Sequence, residues 1–297
     1  MIAASDIAAR LGLRAIPMRR EWRGDCPSCG YASGLVVGEK EGRAVWWCAS
    51  CQDREGITAA VRHALGRGGI PPQRVDRPMG PAPSTARKSA FARALWDEAL
   101  PLPGTIAARY LAVRGLPGIE SAALRYLPAT PHPAGGKRLP AMLAAIRDTR
   151  TGELRAVHRT FLRPDGTGKA AVEPAKASLG PVAGCAVMLD PPRDGAPLVI
   201  GEGIESALSA AAMIGGAAWS AVSAGNLAVL PLPPLPACPV VVIAADPDAP
   251  GQRAAHAAAH RWRAEGRAVR IATPDSPDTD FNDLLRARLE ARETRHG

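Results

Sequence analysis

Leu198-Val199-Ile200-Gly201-Glu202-Gly203 and Val240-Val241-Val242-Ile243-Ala244-Ala245-Asp246-Pro247-Asp248 are the most informative stretches of this 297-residue chain. Each is a short, β-branched apolar run that ends on acid, which reads as a strand buried on both faces. An alanine-rich stretch follows each run and reads as a helix. Extending the pattern predicts strands over 198–202, 217–222, 240–245 and 268–272, and helices over 203–214, 250–265 and 281–292. The fold class is α/β, with a Rossmann-like parallel sheet at the C-terminal end. In an open sheet of this kind the carboxyl ends of the strands face the ligand crevice, so Glu202, Asp246 and Asp248 converge there. Glu205, and Asp280 and Asp283 of Asp280-Phe281-Asn282-Asp283, add further acid. Clustered carboxylates need a counter-charge to stay ionised, and oxygen ligands suit Mg²⁺ or Mn²⁺. The competing explanation is helix capping, to which any single Asp is well suited.

On these residues the stretch 197–285 closely resembles a Toprim domain, the module shared by bacterial-type primases, type I and II topoisomerases, some nucleases and recombination-mediator proteins. Glu202, Asp246-Pro247-Asp248 and Asp280 with Asp283 match its acidic pattern in order, and Gly251 fits the turn that follows. The resemblance implies that Glu202 acts as general acid or base and that the aspartates hold Mg²⁺. One departure is clear. Primases of the DnaG type carry an Asp four residues after the Glu, where this chain has Ser206, and Glu205 is the candidate to replace it as a catalytic or metal-binding residue. Gly201-Glu202-Gly203-Ile204-Glu205-Ser206-Ala207-Leu208-Ser209 is more similar to the primase-like proteins of phages, plasmids and other mobile elements.

Cys26-Pro27-Ser28-Cys29 and Cys48-Ala49-Ser50-Cys51 form a C-x2-C-x18-C-x2-C pattern. Two such knuckles read as a structural zinc ribbon, because four thiolates close the tetrahedron and leave no position open for catalysis. Two disulfides or a redox dithiol are the alternatives. The absence of a leading signal peptide points to a cytoplasmic, reducing setting, against disulfides. Zinc binding contributes about 10–16 kcal/mol in small zinc peptides, so a ribbon of this size is expected to need its metal. Tyr31, Lys40, Arg43, Trp46 and Trp47 lie between the pairs. Aromatics interleaved with cations suit stacking on single-stranded bases, whereas a Trp can equally fill the ribbon's small core. Strand alternation predicts that one of Trp46 and Trp47 points in and the other out. The cluster resembles the zinc-binding domain that precedes the catalytic domain of primases and engages template.

A formal charge of +9 and a pI near 9.7 suggest a polyanionic partner, although a GC-rich genome favours Arg codons whatever the function. Between Arg62 and Arg93 the cations recur and only Asp76 opposes them. With Gly68-Gly69, Pro71-Pro72 and Gly80-Pro81-Ala82-Pro83, the stretch reads as a basic linker, either a mobile tether or a passive spacer. The expected division is a zinc-binding domain over 1–66, the linker over 67–88, a mixed α+β N-terminal part of the core over 89–196, and the Toprim-like domain over 197–297. Residues 5–13 and 57–65 read as helices, the first capped by Ser5 or Asp6. No long apolar run predicts a membrane span.

In the middle region, 139–146 and 156–162 read as strands joined by a turn at 148–153. Residues 89–114 read as helix broken at Pro101, Pro103 and Gly104. Tyr110-Leu111-Ala112-Val113-Arg114-Gly115-Leu116, His158-Arg159-Thr160-Phe161-Leu162 and Asp165-Gly166-Thr167-Gly168-Lys169-Ala170 resemble the segment before Toprim in mobile-element primase-like proteins. That resemblance implies basic residues facing the crevice, with Arg159, Lys169 and Lys176 as candidates to bind nucleotide phosphates. A solvated face is the alternative. Two lures fail. Gly168-Lys169 lacks the P-loop's earlier Gly, where Arg163 stands, and its Ser or Thr, where Ala170 stands. His256 and His260 are spaced like a zincin pair, but Ala257 stands where Glu is required. The implied function is a DNA primase that joins nucleoside triphosphates on single-stranded DNA template, with any helicase on a separate chain. A Toprim nuclease and a non-catalytic, single-strand-binding recombination mediator are the alternatives.

Overall fold

The computed structural model describes residues 3–16, 21–27, 34–40, 42–48, 54–66, 83–276 and 278–296. Cys29, Tyr31, Cys51 and linker residues 67–82 lie outside the described residues. The chain forms two compact units.

The N-terminal unit runs α1 (Ala4–Arg10), β1 (Arg14–Ile16), β2 (Glu21–Gly24), β3 (Leu35–Lys40), β4 (Arg43–Cys48) and α2 (Arg54–Ala64). Its strands form an antiparallel meander in sequence order. Alternation sends Leu35, Val37 and Cys48 into a small core with Ile7 of α1 and Ile57 and Val61 of α2. The cap of α1 differs from expectation. Ala3 occupies the cap position, and Asp6 sits in the first turn, where a negative charge favours the helix dipole.

The second unit begins with α3 (Pro83–Glu98), so residues 83–88 of the expected linker are helical. There follow β5 (Leu100–Pro101), α4 (Ile106–Val113), β6 (Leu124–Pro131), β7 (Arg138–Asp148), β8 (Leu154–Phe161), β9 (Lys176–Leu179) and β10 (Cys185–Met188). The C-terminal part comprises β11 (Leu198–Gly201), α5 (Ile204–Ile214), β12 (Ala217–Ser220), α6 (Ala224–Val229), β13 (Val240–Ala244), α7 (Ala249–Ala264), β14 (Ala268–Ala272) and α8 (Phe281–His296). The four strands expected here are present in parallel, in the order β14-β13-β11-β12. All four residues of β11 are buried, as both faces of a parallel sheet must be. Gly201 allows α5 to approach, because a Cβ there would meet Ala207 Cα at 3.2 Å.

Among the described residues the sheet has ten strands. β10 stitches its two halves together, pairing antiparallel with β12 on one edge and β7 on the other. β7 sends Met142, Ala144 and Ile146 into one core with Tyr110 and Leu111, and Ala141, Leu143 and Ala145 into another under Trp96 of α3. β8 continues this division. Ala156 and Leu162 join the first core, and Val157 and Phe161 the second. No described helix is long and apolar enough to cross a membrane.

Candidate active site

β12 lies on one side of β11 and β13 on the other, so the chain reverses its winding direction at β11. A crevice opens at such a switch point. Gly201 pairs with Ala244 across β11 and β13, so Glu202 and Asp246 leave neighbouring strand ends on the same side. Ser220 Oγ donates to Glu202 O at 2.7 Å and accepts from the Val222 N–H at 3.2 Å. Val222 is β-branched and holds φ at 71°, a costly conformation of the kind that clusters at functional sites.

The aspartates divide into two kinds. Asp248 Oδ1 caps α7 by accepting from Gly251 N at 2.7 Å. Asp280 and Asp283 bond each other's backbone N–H at the start of α8, at 2.9 and 3.2 Å, a capping box. Asp280 Oδ2 also lies 3.9 Å from Arg114 Nη2. The capping explanation therefore holds for these three acids, and it engages one oxygen of Asp248. Asp246 is different. Its Oδ1 is buried and has no hydrogen-bond partner. Burial, then the charges of Asp248 and Asp280, push its carboxyl up to about 6, while Lys176 pulls the other way. Gly251 is required beside it, since a Cβ would come within 2.9 Å of both Asp246 O and Asp248 Oδ1.

The other acid, Glu205, is buried in the first turn of α5. Its Oε1 accepts a short hydrogen bond from the Tyr110 hydroxyl of α4 and lies 3.6 Å from Lys169 Nζ. Burial opposes ionisation, but Lys169, Lys176 and Tyr110 outweigh it and hold the carboxyl down to about 2. Its immediate partners are thus a cation and a phenol. Lys176 heads β9, and its charge is felt by both Glu205 and Asp246.

Arg159 corrects the expectation that it faces the phosphates. It is 4% exposed. Its Nε donates to Ala177 O at 3.3 Å and its Nη1 to Pro131 O at 2.9 Å, with the guanidinium over the Phe161 ring. The cause is strand parity: Arg159 follows Val157 and Phe161 onto the α3 side. Its neighbour His158 faces the crevice instead. His158 Nδ1 lies 3.0 Å from Ser178 Oγ. Burial, then Lys176, lowers its pKa to about 4, against the pull of Glu205, so it is neutral at pH 7. The sequence names the residue but not its face. A cavity of about 650 Å³ beside α4, lined by Leu102, Ile106, Arg109, Ile119 and Asp165 among others, includes none of the expected site residues.

The acids of the switch point fall inside a known family profile. Residues 197–291 match the family profile described as Toprim domain. This part of the chain belongs to the Toprim family. Residues 86–189 match a profile described as a domain of unknown function, DUF7146. Similar solved structures include the Aquifex aeolicus primase (zinc-binding and RNA polymerase domains), at 14% identity and a TM-score of 0.45, covering 98% of this chain and 82% of that one. The primase fragment of the bacteriophage T7 primase-helicase protein matches at 15% identity and 0.39, covering 92% and 97%. A DNA primase domain from Pseudomonas aeruginosa matches at 17% and 0.39, covering 71% and 78%.

Among the described residues, no three His, Cys, Asp or Glu side chains gather into a ready-made metal cluster. Mg²⁺ does not need one, since it is commonly held by one or two carboxylates plus substrate phosphates. The buried, unpartnered Asp246 oxygen beside further acid fits such an ion. In the N-terminal unit, Cys26 and Cys48 are buried. Gly24 pairs with Leu35 and Leu35 with Cys48, so both cysteines lie at one end of the sheet, as shared ligation requires. Trp46 donates to Thr58 Oγ1 of α2 at 3.1 Å, while Trp47 is 39% exposed. One Trp thus points in and the other out.

Proposed function

We propose that this chain is a DNA primase, making short primers on single-stranded DNA by metal-dependent nucleotidyl transfer. The observation that carries this is Asp246: an acid at the Toprim switch point with a buried, unsatisfied oxygen, within reach of a lysine's field. Asp246 and Asp248 would hold Mg²⁺ or Mn²⁺, with Glu202 taking part in metal binding or proton transfer. The ion, when bound, supplies acidification of the attacking 3′-hydroxyl and charge compensation at the leaving pyrophosphate. Lys169 and Lys176 offset triphosphate charge. The rest of the catalysis is positioning. Cys26, Cys29, Cys48 and Cys51 would hold structural zinc, and the ribbon would present Trp47 with Lys40 and Arg43 to template bases. A replicative helicase is the expected protein partner.

Primer synthesis on single-stranded DNA, with labelled nucleotides and Mg²⁺ or Mn²⁺, tests this with Asp246→Ala beside wild type. Short products from wild type alone are expected. Asp246-dependent cutting of the template would make the chain a Toprim nuclease instead. Single-strand binding with neither activity, even with helicase added, would make it a binding module.

A further inference from the structure

Glu205 occupies the place at which the acidic pattern of the Toprim stretch breaks off at Ser206, yet its surroundings are not those of a metal ligand. Its carboxylate is buried on α5, and the oxygen that accepts from Tyr110 is the one that faces Lys169. Tyr110 is itself buried in α4, and among the described residues its hydroxyl makes no other hydrogen bond. The phenol therefore fixes the carboxylate from the protein side. Lys169 pairs with the same oxygen, and its side chain is 35% exposed. An ammonium has three donors. One donor toward Glu205 leaves two free for a ligand at this partly exposed side chain. A lone lysine on a loop samples many rotamers and loses that freedom on binding. An ion pair to a buried, immobilised carboxylate removes most of that loss in advance.

Three residues from three separate elements are needed for this arrangement; the Tyr110 ring packs in the core, but core packing accounts for neither its hydroxyl bond to Glu205 nor the Lys169–Glu205 pair. We infer that Glu205 is a positioning residue: held by Tyr110, it anchors the Lys169 ammonium at the edge of the crevice so that the remaining donors meet a phosphate oxygen of an incoming nucleoside triphosphate. This rests on the nucleotide-binding assignment above and assigns Glu205 a role other than metal ligation. Lys176 lies close enough for its charge to act on both Glu205 and Asp246, which links the anchored carboxylate to the acids of the switch point.

The test is a double-mutant cycle on the full chain, with ATP as probe. Affinity is measured by titration calorimetry in EDTA, so that neither metal nor turnover contributes. Lys169→Met is expected to weaken ATP about tenfold or more, the range for a charge-assisted hydrogen bond. Glu205→Gln, which keeps an acceptor for Tyr110, is expected to weaken it several-fold. The double variant should bind no more weakly than Lys169→Met alone, because the anchor acts only through the lysine. In primer synthesis Glu205→Gln should raise KM for nucleotide and leave kcat and the Mg²⁺ dependence in place. Thermal melts check that each variant is folded. Should Glu205→Gln not fold, Tyr110→Phe replaces it in the cycle, with a smaller loss expected that again vanishes beside Lys169→Met. The inference is overturned if Glu205→Gln binds ATP as wild type does, if its loss adds in full to that of Lys169→Met, or if wild type does not bind ATP. It is also overturned if kcat falls with a changed Mg²⁺ dependence, the signature of a metal ligand. A cycle that closes as expected in a protein that makes no primers would leave this inference standing and remove the primase assignment.

Discussion

Two places in the large sheet bury a carboxylate, and they do so in opposite ways. Where α4 and the loop after β8 meet α5, Glu205 is matched by Lys169, Lys176 and Tyr110 and held down to about 2. At the carboxyl end of β13, Asp246 is crowded by Asp248 and Asp280 and pushed up to about 6. Burial raises both; the neighbours decide the sign. A matched carboxylate contributes to the fold and positions its partners. An unmatched one costs stability until something cationic arrives. Environments that drive like groups apart are a useful guide to roles in a site. Under the proposed function they would separate a cation-binding end of the crevice from a phosphate-facing end.

The largest expected effect breaks the unmatched side. Asp246→Asn should reduce primer synthesis about 10³-fold or more, the scale of losing an electrostatic group of an active site. The same change should stabilise the metal-free protein by about 1–3 kcal/mol, since a shift of this size corresponds to about 1.4 kcal/mol per pH unit and Asp246 is partly solvated. Thermal melts in EDTA beside the activity assay check the pair of outcomes. A variant both inactive and less stable would mean that Asp246 is already compensated in the free protein.

The matched side should respond with the reverse sign. Glu205→Gln should cost about 2–3 kcal/mol, somewhat below the loss typical of a fully buried pair because Lys169 is partly exposed. Melting temperature against pH distinguishes the two acids. The stability due to Glu205 is complete above its ordinary range near 4.3 and is lost as pH falls toward about 2. The penalty due to Asp246 is absent below about 3.9 and grows as pH rises through about 6. Each step should vanish only in its own variant.

How much of this could be read in advance differs between the same two regions. The Toprim strands announce themselves, because β11 and β13 are apolar runs of the right length and end on the expected acids. The matched side is hidden. Tyr110 and Glu205 are 95 residues apart, and no local pattern links them. β9 and β10 have four residues each, too few to show a period, and β6 carries Pro128 and a register shift between Leu127 and Thr130 that interrupt its alternation. For Arg159 and His158 the strand itself is legible, but its parity is not. Nothing in Ala156-Val157-His158-Arg159-Thr160-Phe161 says which face meets α3 and which the crevice, since both faces are covered.

That parity supplies the next test. Arg159→Met removes two carbonyl-bound donors from the α3 side and should cost about 1–3 kcal/mol, the penalty for leaving buried acceptors unpaired. ATP affinity should stay within about twofold of wild type, because the guanidinium does not reach the crevice. Calorimetry with ATP beside a thermal melt checks this. A loss of ATP affinity equal to that of Lys169→Met would place Arg159 back among the phosphate ligands.

The smallest expected effect falls on Lys176, the group that both regions share. Its charge lowers the carboxyls of Glu205 and Asp246 alike, and its side chain is exposed at the start of β9. An exposed charge is screened by solvent and salt, so Lys176→Met should change stability at pH 7 by only about 0.5 kcal/mol. The sign still follows from the comparison. Without Lys176 the Asp246 carboxyl rises further and the Glu205 carboxyl drifts back toward its ordinary value. Both steps in the stability–pH curve should then move to higher pH together. Adding about 0.5 M NaCl to wild type should instead move the steps in opposite directions, because salt weakens the attraction of Lys169 and Lys176 for Glu205 but, at Asp246, the larger repulsion from Asp248 and Asp280. If Lys176→Met moved only one step, Lys176 would belong to one end of the crevice, and the two carboxylates would be independent sites that share a sheet rather than opposite ends of one.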